Sequence, residues 1–377
     1  MKKLLLLIPV LVFAANCGPN RGRVERKTEN GVEVVINHKA PYPNGKGQGM
    51  KLEKLFQIDT EKPEIRDLGI PDIFGFDVDS QGSIIVLRQI NGEGDFVYVF
   101  DDQGRFVKSF GRKGQGPGEL ENPHHLALDS QDRVMIFDGG RERVSRYDKE
   151  GGFLGPITMN HIVRMTAGPG DNLITKSMMI NQENGKDVYS SSLKRLSADF
   201  RELGVVDSLK VEMNPGEFIA EEPLLCWSAS KDRLFVAGEE RGYEIRVYNK
   251  DGKLMRIIRK EYNPVPVSEA YRAKILKPVS APLRKSLRFP EFHPPLQSLT
   301  ADEDGRLLVA TFEEGDKPGE FQFDIFDESG AFVGKKSLNA FVWEGVLWAR
   351  IKADRFYSLE EKENGFKEIA VYRLKWE

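Results

Sequence analysis

The sequence predicts an all-β fold, a six-bladed β-propeller of four-stranded antiparallel blades whose last blade is closed by an N-terminal strand. Three observations carry this. A unit of the form D-x-x-G-x-h-h-V, followed by an aromatic run and a second turn D-x-x-G-x-F, recurs along the chain. First turns read DSQGSIIV at 79, DSQDRVMI at 129, GDNLIT at 170, SKDRLFV at 230, DEDGRLLV at 302 and KADRFYS at 352. Their spacing, about 40 to 70 residues, is that of propeller blades and exceeds that of solenoid rungs. The apolar residues between turns alternate with period two, as in FVYVF at 96, EIRVY at 244 and FQFDIF at 321, with no long amphipathic helical pattern in competition. Finally, 36 Gly and 20 Pro in 377 residues suit a turn-rich chain.

Each element has a local reason. Asp or Asn at the first turn position bonds its own backbone, and Gly supplies the positive φ that a tight hairpin needs. Residues 1–16 read as a signal segment. Lys2 and Lys3 precede a ten-residue apolar stretch, Leu4 to Phe13, too short to span a bilayer. Ala14-Ala15-Asn16-Cys17 has the form of a lipobox, with Cys17 the lipidated residue, although Asn16 stands where a small residue is usual. The alternative is a plain secretory cut near Ala14 or Ala15. Residues 17–49, polar and rich in Pro and Gly, read as a tether interrupted by the strand-like VEVVI at 32–36. The propeller then occupies 50–377. MKLEKLFQI at 50–58 is expected to close the ring, which removes free sheet edges. VEVVI is the runner-up for that role, or an added edge strand. Blades are expected near 72–110, 123–158, 161–205, 223–260, 293–338 and 339–377.

One blade holds the fullest repeat. GRKGQGPGELENPHHLALDSQDRVMIFDGGRERVSRYDKEGGF, from 111, resembles the NHL-type repeat of six-bladed propellers, specifically over residues 72–154 and more weakly beyond. The chain also resembles the bacterial lipoproteins known as 6-bladed β-propeller proteins, whose function is largely undefined. That resemblance implies a Pro-rich helical insert before a late blade, which YNPVPVSEAYRAKILKP at 262–278 matches. The insert, about 261–292, is basic: ten Lys or Arg stand between Lys253 and Arg288 against Glu261 and Glu269. Ser268 is its expected N-cap and Pro278 limits the helix.

Long connections gather on the face opposite the tight turns: 88–95, 138–143, 181–186, 239–242, 313–319 and the insert. Function rides on such loops, so any site is expected there. Arg88, His124, His125, Arg141, Arg143, His161, Lys274, Lys277 and Arg284 are the candidate ligand contacts, with Trp227 and Trp343 beside them. Lys274, Lys277 and Arg284 suit an anionic partner, or else a solvated charged lid. NHL-like lyases hold a central zinc through His residues at inner-strand starts, and the resemblance implies that role for His124. Registration of the blades puts Phe74, His124, His161, Leu224, Gln297 and Val346 at equivalent places. His124, His161 and the more distant His293 are therefore the zinc candidates, against the usual need for about three converging ligands.

Other chemistry is disfavoured. The acidic turns at 77 and 302 lack EF-hand spacing. The loop at 111–118 lacks the P-loop Lys and opens no helix. Cys226, in the apolar LLCWSA, reads as a small buried hydrophobe. A formal charge of −3 disfavours a nucleic-acid binder. The expected function is a lipid-anchored, extracytoplasmic binding or scaffold module, on the periplasmic or surface side of a bacterial outer membrane, for a protein or glycan partner and without a cofactor. The alternative is a divalent-metal lyase or lactonase-like hydrolase using Zn or Ca in the central channel.

Overall fold

A computed structural model describes residues 22–45, 47–88, 94–159, 162–220, 223–343 and 346–377. Cys17, His161 and the side chain of Trp343 lie outside the described residues. Six four-stranded antiparallel blades follow one another around an axis. Blade 1 comprises Ile73–Val78, Ile84–Arg88, Asp95–Phe100 and Phe106–Arg112. Blade 2 comprises Pro123–Leu128, Val134–Asp138, Arg143–Tyr147 and Phe153–Thr158. Blade 3 comprises Ile162–Ala167, Leu173–Glu183, Lys186–Leu196 and Glu202–Met213. Blade 4 comprises Leu225–Ala229, Arg233–Gly238, Glu244–Asn249 and Leu254–Lys260. Blade 5 comprises Ser298–Ala301, Leu307–Glu314, Phe321–Phe326 and Phe332–Leu338. Blade 6 takes Ala349–Lys352, Arg355–Glu361 and Lys367–Trp376 from the C-terminus. Its fourth strand is Met50–Asp59, antiparallel to Lys367–Trp376, so the N-terminal closure is as expected.

The core is distributed between blades. Six hydrophobic clusters fill the six interfaces. Successive residues of one strand serve opposite interfaces: Ile84 and Val86 face blade 6, whereas Ile85 and Leu87 face blade 2. Where both faces of a blade are buried, the second strand reads as an apolar run, as IIVL at 84–87 and VMIF at 134–137.

The turns behave as their sequence requires. Asp79, Asp101, Asp129 and Asp148 each accept, at Oδ1, the N–H groups two and four residues on. Gly104 adopts φ 78° in such a turn. Asp132 occupies the glycine position of the second blade at φ 58°, and its carboxylate accepts from the Ser80 N–H (2.9 Å) and hydroxyl.

Two expectations are corrected. The described part of the 17–49 stretch is no free tether. Two strands, β1 (Val24–Glu29) and β2 (Val32–Asn37), form a hairpin, and β2 pairs in parallel with Leu254–Lys260, extending blade 4 to six strands. VEVVI is thus an added strand between Leu254–Lys260 and the outermost β1, two blades from the closure. Glu33 pairs with Arg256 (2.7 Å), and Asn37 is buried. The Asn37 Nδ2 donates to Gly330 O (3.0 Å), and its Oδ1 accepts from Phe332 N (2.8 Å) in blade 5. Polar composition concealed this because the hairpin is held by charged and amide side chains. The second correction is blade 3, whose strands run through the expected 181–186 loop to a two-residue turn, Asn184-Gly185, with φ 52° and 76°. Its outer strand continues to Met213 rather than ending at 205.

Candidate functional site

The inner strands are tied into a ring by one side chain or another at each junction. Asp77 of blade 1 accepts from Arg350 Nε of blade 6 (2.8 Å) and from Leu128 N of blade 2 (3.1 Å). His125 Nε2 meets Met165 O of blade 3 (2.6 Å), and Trp227 Nε1 donates to Thr166 Oγ1 (2.8 Å). Ala301 N donates to Ser228 Oγ (3.0 Å) and Leu347 N to Ser298 Oγ (3.1 Å), which returns the circuit to blade 6. These inner-strand side chains are therefore engaged in holding blades together. Trp348 reaches over the inner strand of blade 1 at Gly75, and its ring centroid is 6.3 Å from that of His125.

The expected contacts fall in different places. His125 is buried, and loss of hydration, with Arg164 nearby, pushes its pKa down to about 3. It is a neutral imidazole whose Nε2–H donates to a carbonyl. His124 sits at a strand bulge, equivalent to Phe74 and Val163 in the neighbouring blades. Its Nδ1 lies 3.2 Å from Asn122 O and its ring packs edge-on to Phe137. His293 stacks on Phe312 at 4.1 Å and meets Tyr271 edge-on, remote in the fold from both. Among the described residues, no three His, Cys, Asp or Glu gather as a metal-binding set.

The arginines brace loops. Arg88 is buried, packs over Phe96 and donates from Nε to Asp95 O (2.5 Å). Arg141 donates to Glu121 and to the carbonyls of Gln115 and Gly114, and Arg143 to Glu119 O. Together they hold the glycine-rich 111–118 connection on blade 2. Trp227 is core, with Arg164 over its face at 4.4 Å. Cys226 is buried, and desolvation pushes its thiol up to about 11, which removes it as a nucleophile.

The insert forms as its sequence requires. Ser268 Oγ caps the helix Glu269–Leu276 by accepting from Tyr271 N (3.2 Å). Much of the basic run is spent inside the fold: Arg256 on Glu33, Arg259 on Glu244, Lys260 on Asp324, Arg288 on Glu217. Arg284 turns back onto the Val279 carbonyl (2.8 Å). Lys274 and Lys277 remain as exposed cations on the lid.

Beneath the start of the insert lies a feature not anticipated from sequence. A cleft of about 280 Å³ opens on the loop face between blades 4 and 5 and adjoins an inner pit of about 10 Å³, room for one water-sized group such as a hydroxyl. Tyr243 enters it from the short 239–242 connection, Lys260 from the last position of blade 4, and Asp324 from the third strand of blade 5. Tyr243 donates its hydroxyl to Asp324 Oδ2 (2.6 Å), and Lys260 Nζ stands 3.2 Å from the same oxygen. Lys260 also lies over the rings of Phe332 (4.6 Å) and Tyr243 (5.1 Å). Asp324 is fully buried, and its Oδ1 has no hydrogen-bond partner. Burial pushes its carboxyl above the usual range against the pull of Lys260, and pushes the Tyr243 phenol well up. Glu313 and Lys335 pair across the mouth. The sequence carried only a faint sign of it, an Asp among the apolar residues of FQFDIF, and no sign of the meeting with Tyr243 and Lys260.

Comparison with known proteins supports the architecture. The family described as 6-bladed beta-propeller (DUF5128) matches residues 78–204. A candidate exported protein of Bacteroides fragilis superposes with a TM-score of 0.51 at 12% identity, covering 91% of this chain and 99% of that one. A member of the duf4221 family from Bacteroides vulgatus gives 0.48 at 10% identity, with 88% and 100% covered. Protein lin-41 of Caenorhabditis elegans is 38% identical over 48 residues, which are 13% of this chain and 4% of its own length. The family match agrees with the six-bladed propeller of the structure.

Proposed function

We propose that the chain is a lipid-anchored, extracytoplasmic propeller that binds a protein or glycan partner through its loop face. The observation that carries this reading is the cleft between blades 4 and 5. It is a concavity built on strands of two blades, bordered by the start of the insert, and furnished with aromatic and charged side chains. Cys17 supplies the anchor, at the end of the apolar segment 4–13. His125, the inner-strand imidazole that is fully engaged between blades, is neutral and bonded to Met165 O, which supports a structural use of that strand.

A photo-crosslinking residue placed at Tyr262 on the loop face, and another at Gln103 on the turn face, test the reading in native membranes. Capture of a partner from position 262 and not from 103 is expected. Equal capture from both, or capture from 103 alone, overturns the loop-face assignment. Loss of membrane association in Cys17→Ala tests the anchor. Metal content of purified protein is expected to be unchanged by His124→Ala; stoichiometric zinc lost on that substitution supports a metal lyase instead.

A further inference from the structure

The cleft restricts the chemistry of what it can take. Its charged lining consists of Lys39, Lys260 and Lys335 against Glu261, Glu313 and Asp324. These balance, and each is engaged locally. Lys39 donates to Asn263 Oδ1 (2.6 Å), Lys260 pairs with Asp324, Lys335 with Glu313, and Glu261 lies 3.1 Å from His38 Nδ1. No net field is left to draw a phosphate, a sulfate or a metal cation.

The unmet group is Asp324 Oδ1, a buried acceptor without a donor. Lys335 Nζ stands 4.0 Å from it, beyond hydrogen-bond reach. A buried acceptor left unpaired is costly, so a ligand that brings a donor gains from filling it. The donor is not an ammonium, because Lys260 and Lys335 already flank the carboxylate. A uronate or other anion is opposed by the carboxylate itself. A neutral hydroxyl meets both conditions. The walls fit the same class: the half-buried Tyr262 ring leans on Tyr243 at 6.0 Å, and prolines 264, 266, 294 and 295 offer flat apolar surface. Aromatic and proline faces suit the C–H faces of a sugar ring, whose hydroxyls point outward to polar groups.

We propose that this cleft is a saccharide subsite that takes a neutral, hydroxyl-rich portion of a glycan, with Asp324 Oδ1 as the buried acceptor and Tyr262 as the stacking platform. The inference rests on the loop-face binding role and names its ligand class. The full mature chain in detergent is applied to arrayed neutral oligosaccharides, amino sugars and uronate oligomers, and the best neutral binder is then titrated by calorimetry. Selective binding of neutral saccharides is expected. Tyr262→Ala, assayed well below its own thermal unfolding because the ring also packs on the core, is expected to weaken binding at least tenfold. Asp324→Asn is expected to weaken it similarly where that variant folds, and the double change Lys274→Glu/Lys277→Glu to leave it unaltered. Absence of any neutral binder, preference for uronates, or neutral binding indifferent to Tyr262→Ala overturns the subsite. A protein crosslinked at position 262 without any saccharide binding overturns the subsite alone and leaves the binding role standing. No capture and no saccharide binding overturns both.

Discussion

His125 shows how a residue that looks chemical is made structural by its surroundings. It faces Met165 O, Trp348, the guanidinium groups of Arg164 and Arg350, and Asp77. Its folded pKa, about 3, lies below the ordinary 6.5. The unfolded chain therefore takes up a proton as pH falls through 6.5 while the folded chain does not. The stability associated with this group is complete above pH 6.5 and is lost as pH falls toward 3. Between pH 6.5 and 4.5 the loss is about 2 to 3 kcal/mol. Chemical denaturation of His125→Gln, which keeps a donor for Met165 O, is expected to show a shallower acid slope in that window. His293, which burial also holds low, contributes equally to both proteins and cancels. His124 and His125 are adjacent in sequence, but one ring goes to Phe137 and the other to Met165. Their pairing in the sequence was visible; their separation arises at the bulge that leaves His124 without a cross-strand partner.

At the scale of elements, two contacts join parts that lie far apart in the chain. Gly75 lies under the Trp348 ring, where an added Cβ would come within 2.4 Å of it. Gly75→Ala is expected to destabilise by about 1 to 3 kcal/mol through overpacking. Trp348→Phe in the same background is expected to recover part of that loss, as measured by urea midpoints. Asn37 joins the hairpin of β1 and β2 to blade 5 through Gly330 O and Phe332 N. Asn37→Ala leaves those backbone groups buried and unpaired, so a loss of roughly 2 kcal/mol is expected. The repeat units were legible because each turn is a local device of Asp, Asn and Gly. The hairpin was half legible, as a strand without an address, because its partner strand lies more than 200 residues away. The cleft was not legible, since Tyr243, Lys260 and Asp324 meet only when blade 5 is set beside blade 4.

For the whole molecule, the point where the chain enters the fold has a bearing on orientation. Val24 stands opposite Asn37, and Asn37 is level with Lys260, from which the insert departs. The chain thus enters at the loop-face end of blade 4. Six residues, 18–23, separate Cys17 from β1, a reach of at most about 20 Å. If Cys17 carries lipid, that rim of the loop face, with Lys274 and Lys277 on its lid, is held near the headgroups. Acylated protein on vesicles with a headgroup quencher is expected to show stronger quenching of a probe at Tyr262 than of one at Gln103. Equal quenching would count against this orientation.

The sequence by itself determined the number of blades, the approximate place of each, closure of the last blade by an N-terminal strand and the Ser268-capped insert. These depend on local chemistry: turn residues, period-two alternation and a cap. The tertiary structure alone decided the destination of the N-terminal hairpin, the neutral and buried state of His125, and the gathering of Tyr243, Lys260 and Asp324 into a cleft. Those depend on which strands become neighbours and on how much water each group loses, and neither quantity is carried by any single stretch of the chain.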